Sequence, residues 1–294
     1  MVFQNRARPD SSIINASVPY KCFQLGRKLR RTTKEYVMKK LLFIISIFSI
    51  LILVSQTSQA QIRLGIQGGL SVPELSGGNN VISQGYTSRL APNFGITADI
   101  PVAGNFSIEP QVNFDGQGGQ RNGLQPITST SLPSLPGGGY YYANFRNTSV
   151  LNYLEIPVLA EYTFGLGGLS LEINAGPYVG FLLSATQKTS GTSYIYLDAN
   201  RDPLVMPNGN GGFAPVPPQS FDANTDVSSS INKVNVGIDG GVGLLLPVSS
   251  VSDLMLNIRG LYGLTDIQKY SKDGSSHTGN LLVDIGYSYM LPII

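Results

Sequence analysis

The sequence predicts an all-β chain that crosses a membrane as an antiparallel up-and-down β-barrel of eight strands. Three observations lead there. Eight segments alternate apolar and polar side chains with a period of two, their charges fall on one parity, and the links between them alternate short and long. A membrane strand needs about 9–11 residues with lipid-facing and lumen-facing side chains in alternation.

The chain divides before the first segment. Residues 1–40 hold ten of the twenty Lys and Arg but only two of the eighteen acids, Asp10 and Glu35. Met38-Lys39-Lys40 leads into fourteen uncharged, mostly apolar residues, 41–54, and then into Ser55-Gln56-Thr57-Ser58-Gln59-Ala60. Small residues stand at the −3 and −1 positions of a cut before Gln61. A basic start, a short apolar core and a small-residue exit describe a secretory signal at 38–60, removed on export. Fourteen residues are short against the roughly 20 of a membrane helix. Residues 1–37 show no periodicity and read as a disordered extension upstream of the true start, Met38.

The formal charge of +2 therefore misleads. Residues 61–294 keep ten basic against sixteen acidic side chains, a net of −6, which leaves a nucleic-acid partner without electrostatic support. The single cysteine, Cys22, precedes the signal, so the exported barrel domain, 61–294, has no disulfide.

The eight segments follow in order. The first, 61–70, places Ile62, Leu64, Ile66 and Leu70 on one face. The second, 91–100, places Phe94, Ile96, Ala98 and Ile100 there. In the third, 105–115, Phe106, Ile108, Val112 and Phe114 alternate with Ser107, Glu109, Gln111 and Asn113. The fourth, 153–164, turns Leu154, Ile156, Val158, Ala160, Tyr162 and Phe164 outward. The fifth, 169–183, offers Leu171, Ile173, Val179, Phe181 and Leu183. The sixth, 233–246, uses Val234, Val236, Ile238, Val242, Leu244 and Leu246. The seventh, 254–264, uses Leu256, Ile258, Tyr262 and Leu264. The eighth, 280–291, uses Leu281, Val283, Ile285, Tyr287, Tyr289 and Leu291.

Against these, Arg63, Asp99, Glu109, Glu155, Glu161, Glu172, Lys233, Asp239, Arg259 and Asp284 all take the opposite parity. A charge facing lipid at the midplane costs roughly 2–4 kcal/mol, so a barrel wall must exclude it. A soluble sandwich also alternates; the links separate the two. Short links, 101–104, 165–168 and 247–253, follow the second, fourth and sixth segments, and long ones, 71–90, 116–152, 184–232 and 265–279, follow the others. That is the pattern of short periplasmic turns and long outer loops. Phe106, Tyr162, Phe164, Tyr287 and Tyr289 are expected in the periplasmic-side aromatic girdle, and Phe94, Phe114, Phe181 and Tyr262 in the outer one.

Several segments resemble the PorT-like outer-membrane β-barrel family. Tyr153-Leu154-Glu155-Ile156-Pro157 is similar to its "Tyr-Leu-Glu-Ile-Pro" motif, and Gly176-Pro177-Tyr178-Val179-Gly180 to its "Gly-Pro-Tyr-Val/Ala-Gly" motif. Asp239 with Gly241 and Gly243, then Tyr262-Gly263-Leu264-Thr265-Asp266-Ile267, and Gly286-Tyr287 complete the set in order. The resemblance implies a barrel in the cell outer membrane. The chain departs from many outer-membrane proteins by ending in Leu291-Pro292-Ile293-Ile294 rather than an aromatic.

Eight strands leave an interior that side chains fill, so the lumen charges are expected to pair as a structural polar network rather than line a channel. The expected function is non-enzymatic, structural or surface-interacting through the outer loops. A small-solute channel, a secretion accessory barrel and a lipid-modifying enzyme are the alternatives. The expected neighbours are outer-membrane lipids and a cell-envelope or surface protein, with the barrel a monomer. His277, the single histidine, has Asp273, Ser275 and Ser276 nearby, which could suit acid–base chemistry but is expected to be an ordinary polar loop tip. Asp198-Ala199-Asn200-Arg201-Asp202 and Asp222-Ala223-Asn224-Thr225-Asp226 carry oxygen ligands at alternate positions, as Ca²⁺ loops do. They lack Gly at the sixth place and Glu at the twelfth, so Asx-rich turns are expected and no metal, cofactor or catalytic residue is assigned. Gly137-Gly138-Gly139-Tyr140-Tyr141-Tyr142 and the Pro- and Gly-rich stretch 203–218 are the outer-loop elements suited to loop packing or adhesion.

Overall fold

The computed structural model describes residues 61–127, 132, 135 and 139–291. The upstream extension 1–37, the export signal 38–60, Gly137, Gly138 and the chain end at Pro292-Ile293-Ile294 lie outside the described residues.

Eight long strands form the fold: β1 (Arg63–Ser76), β2 (Ala91–Ala103), β3 (Phe106–Ile127), β4 (Tyr141–Gly165), β5 (Ser170–Ser190), β6 (Val234–Ser249), β7 (Ser252–Gly263) and β8 (His277–Met290). Each pairs antiparallel with its neighbour in sequence. β8 then returns to β1, from Arg63 opposite Met290 to Ser76 opposite His277, and closes the ring. Closure removes the unpaired edges that an open sheet exposes.

The burial pattern inverts that of a water-soluble domain. Asp284 is 0% exposed while its neighbour Ile285 is 62% exposed. The same contrast runs round the wall: Leu64, Ile66, Phe94, Ile96, Val242 and Val283 face out, while Gln67, Asn113, Glu155 and Asn257 face in. Among the described residues no second protein layer covers the apolar face, and hydrocarbon is the solvent that suits it.

The link pattern has a structural cause. β2 turns into β3 through Gly104 and Asn105, with Gly104 at φ +54°, where a side chain is disfavoured. The other ends of the strands overrun the wall. β3 has 22 residues, β4 has 25 and β5 has 21. At about 3.3 Å per residue, β4 runs roughly 80 Å, far more than a bilayer core requires. Most of the expected loop 116–152 is therefore strand, a correction to the sequence reading. Apolar alternation stops there because the outward side chains become Asn144, Arg146 and Thr148, which have no lipid to face.

The expected fifth strand ended at Leu183 for a related reason. Asn152 pairs with Ser184 but Tyr153 with Leu182, so Leu183 is bulged. One extra residue swaps the two faces. Beyond it Ala185 is buried where the unbroken parity would turn it outward. The expected loop 184–232 also holds strand: Ala223–Asp226 pairs with β5, Thr192–Ser193 pairs with Gln219–Ser220, and Val205–Pro207 pairs with Phe213–Pro215.

Candidate functional site

The lumen is filled from the short-turn end upward. At its base Arg63, on β1, reaches Asp99 of β2 at 3.3 Å and Asp253 of β7 at 3.2 Å. Beside them is a void of about 10 Å³ lined by Glu109 and Glu172 among others, room for one water at most. Glu161, opposite Ser107 across β3 and β4, accepts that hydroxyl at 3.4 Å.

At mid-height Arg259 of β7 is the hub. Its Nη1 lies 2.7 Å from Asp239 Oδ2 and donates to Gln111 Oε1 at 2.9 Å, while its Nη2 lies 3.5 Å from Asp284 Oδ2. Gln111 donates in turn to Glu109, and accepts from Asn113 at 2.8 Å and from Gln67 at 3.1 Å. Higher up, Gln117 donates to Glu155 and to Asp115, and Asn280 donates to Asp115 at 2.7 Å. Buried carboxylates tolerate such a site only when cations or N–H donors meet them. Here two arginines serve some of the acids, and primary amides serve others.

Small wall residues make room for this filling. A Cβ on Gly95 would stand 1.9 Å from Asn113 Oδ1, one on Gly243 2.3 Å from Asn257 Oδ1, and one on Gly286 2.5 Å from Met255 Cε. The interior is not polar throughout. Tyr178, Leu261 and Leu282 pack together inside the ring, and Leu75, Leu151, Tyr153, Ala185 and Ile267 form a second buried apolar layer.

Lys233 requires a correction. It is exposed and lies just before β6, with its ammonium on the Ser228 carbonyl at 2.9 Å rather than in the lumen. Strand alternation ceases to govern a side chain once the ladder has ended. Conversely, Asp253, Asp115, Gln117 and Gln67 belong to the lumen network without having been singled out. Asp253 shares the parity of Asn257 and Arg259, and extending the seventh segment by one residue would have found it.

Phe94 and Phe114 pair across β2 and β3 and stack at 4.9 Å, on the outer surface toward the long-loop end. Phe181 and Tyr262 are exposed on β5 and β7. Toward the short-turn end, Phe106 lies opposite Tyr162, Tyr162 contacts Phe164 at 4.7 Å, and Tyr287 and Tyr289 are exposed on β8.

Above the second apolar layer the strand extensions and loops surround an open cavity of about 790 Å³. Gln125 of β3, Asn147 of β4 and Gln187 of β5 line it, with Tyr86, Phe145 and Phe221. Phe145 and Phe221 stack at 4.8 Å. Burial pushes the Tyr86 phenol above its ordinary value, with Arg121 pulling the other way. This vestibule was not legible as a site, because its walls lay in segments read as loops. Of the tyrosine-rich element, Tyr141 is buried with Ile195 and Leu204, and Tyr142 pairs by backbone with Tyr196.

The remaining candidates are occupied locally. Asp198 Oδ1 accepts the Asn200 amide at 2.8 Å, and Asp222 Oδ1 accepts the Gly191 amide at 3.0 Å. Asp226 Oδ1 accepts the Ser228 amide at 2.8 Å. The Asp198 and Asp226 bonds are local side-chain-to-backbone turns, the Asp222 bond ties two distant segments together, and among the described residues no group of three or more acids, histidines or cysteines is arranged to hold a metal ion. His277 opens β8 with its ring 6.1 Å from that of Tyr262. Ser276 Oγ accepts instead from Gln268 at 3.0 Å, and the Ser275 amide donates to Asn79 at 2.9 Å.

Comparison with known proteins adds the following. A family model described as outer membrane protein beta-barrel domain matches residues 54–269. No curated protein matches. Among solved structures, Neisserial surface protein A aligns at 11% identity over 78% of this chain and 97% of that one, with a TM-score of 0.34. OprG from Pseudomonas aeruginosa aligns at 10% identity over 80% and 98%, with a TM-score of 0.37. The outer membrane protease OmpT from Escherichia coli aligns at 9% identity over 81% and 100%, with a TM-score of 0.31.

Proposed function

This chain belongs to the outer membrane protein beta-barrel domain family and resides in the outer membrane, and we propose that it is a closed, non-enzymatic barrel whose lumen is a structural plug and whose outer end meets partners at the cell surface. The observation that carries this is the Arg259 hub. A buried guanidinium held between Asp239 and Asp284, and donating to the Gln111 amide oxygen, sets the mid-height charges against one another as a plugged lumen requires. An open pore would instead set its charges against water.

The PorT-like assignment is part of the same reading. The two motifs that carry it lie side by side: Glu155 pairs with Gly180, Ile156 with Val179 and Pro157 with Tyr178. Gly180 packs over the Tyr153 ring and the Glu155 side chain, which a Cβ there would meet at ordinary contact distances of 3.4 and 3.5 Å. Lipid surrounds the apolar wall, the barrel is a monomer, and an envelope or surface partner meets the long loops.

Single-channel recording in planar bilayers tests the plug. The expected result is no sustained conductance from the intact chain; a stable, large pore overturns the proposal. Lipid turnover in membranes carrying His277→Ala is expected to match wild type, and loss of a lipid-modifying activity there would overturn the non-enzymatic reading.

A further inference from the structure

We propose that the vestibule is a binding site for a short neutral oligosaccharide, read by a row of side-chain amides on β3, β4 and β5. Gln125, Asn147 and Gln187 stand on the inner face of three consecutive strands. Gln187 Nε2 donates to Asn147 Oδ1 at 3.2 Å, Asn147 Nδ2 donates to Gln125 Oε1 at 3.4 Å, and Gln125 Nε2 donates to the Phe145 carbonyl at 2.7 Å. The row runs in one direction. It ends at Gln187, which keeps its carbonyl and a second N–H, and the carbonyls of Asn147 and Gln125 each keep a lone pair. Adjacent donor and acceptor atoms of this kind match neighbouring hydroxyls, which give and take hydrogen bonds alike.

The rest of the lining selects among ligands. Ile195, Val216, Phe221 and Ile267 present apolar surface, and Arg121 and Asp273 are the charged side chains of the lining. Arg121 Nη1 already donates to the Val81 carbonyl at 2.9 Å. A charged ligand would meet a single opposite charge, Arg121 or Asp273, in a lining otherwise of amides, hydroxyls and apolar groups. A wholly apolar one would strand the amides. An extended peptide is ordinarily held at a free strand edge; the central β4 wall of the vestibule offers none, since β4 is paired with β3 and β5 on its two sides. A sugar has both a hydroxylated edge and an apolar C–H face. The cavity volume, about 790 Å³, is that of a small-molecule site rather than a surface dimple.

This deepens the proposed surface role and rests on its orientation, with the long loops outermost. The test uses the chain purified from outer membranes in a detergent without a sugar headgroup. Titration calorimetry with maltotriose, cellotriose and triacetylchitotriose is expected to show saturable one-to-one binding of at least one. Gln187→Ala and Asn147→Ala should each weaken it about tenfold or more, with the heat-dependent gel shift of the folded barrel retained. Gln187 is only half-buried, so its variant reports even where Asn147→Ala does not fold. Absence of binding by all three sugars, or binding indifferent to Gln187→Ala, overturns the inference. A barrel that conducts ions yet binds sugar through Gln187 would overturn the plug and leave this site standing.

Discussion

Arg259 Nη1 on β7 stands 2.7 Å from Asp239 Oδ2 on β6, with both side chains closed off from solvent. Gly241 makes the approach possible, since a Cβ there would fall 2.8 Å from Arg259 Cγ. Removing one partner of a buried ion pair leaves the other charge uncompensated, at roughly 3–5 kcal/mol. Arg259→Met is expected to lose about that much in urea unfolding from lipid vesicles, because Asp239 and Asp284 both lose their guanidinium. Adding Asp239→Asn should recover part of the loss. Wild-type stability in Arg259→Met would show that the hub does not hold the lumen.

Filling by close approach makes a separate prediction. A Cβ on Gly237 would meet the Tyr262 carbonyl at 2.2 Å and Tyr178 Cε1 at 2.5 Å, whereas one on Gly260 meets nothing nearer than 4.0 Å. Overpacking a tight interior costs roughly 1–3 kcal/mol. Gly237→Val is therefore expected to lower the temperature of the folded-to-unfolded gel shift, and Gly260→Val, on the lipid face, to leave it nearly unmoved. Equal effects would mean that the two faces are packed alike.

Much of this was legible in the sequence, for a definite reason. Where lipid lies on one side, chemistry forces the alternation: Ile285 outward and Asp284 inward need no knowledge of the fold. Where the strands leave the membrane that constraint lapses. Asn144 and Arg146 beside Ala143 and Phe145 carry no lipid signature, and the bulge at Leu183 reverses the parity that a pattern search follows. The vestibule was illegible for the same reason. Gln125, Asn147 and Gln187 are ordinary loop residues until three strands bring them into line. Lys233 erred in the opposite direction, through extending alternation one residue past the ladder.

The depth of the lipid band can be tested from outside. Ile285, 62% exposed at the middle of β8, faces hydrocarbon, and Ile285→Arg is expected to cost roughly 2–4 kcal/mol. Asn144 on the β4 extension is exposed as well; with water as its expected surroundings, Asn144→Arg should cost nothing measurable. Denaturant unfolding from vesicles compares them directly. A large penalty at Asn144 would place lipid against the extension and shorten the extramembrane hairpin.

The last prediction concerns pH at the vestibule wall. Phe221 is held beside Phe145 partly by its own amide, which donates to the Gly191 carbonyl at 2.8 Å. The neighbouring Asp222 closes the same contact from the other side: its Oδ1 accepts the Gly191 amide at 3.0 Å and its Oδ2 the Ser220 hydroxyl at 2.9 Å. The Gly191 N–H, and after it the Ser220 hydroxyl, hold this carboxyl below its ordinary value of 3.8. A group whose folded value is depressed gives its full contribution above the unfolded value and loses it as pH falls through the folded one. The midpoint of the pH-dependent shift of the Gly191 amide resonance should thus lie below pH 3.8. Asp222→Asn, which keeps an acceptor but cannot titrate, should abolish the shift. A midpoint above 3.8 would mean that the carboxylate is not tied to Gly191, and that the loop bearing Phe221 is held by something else.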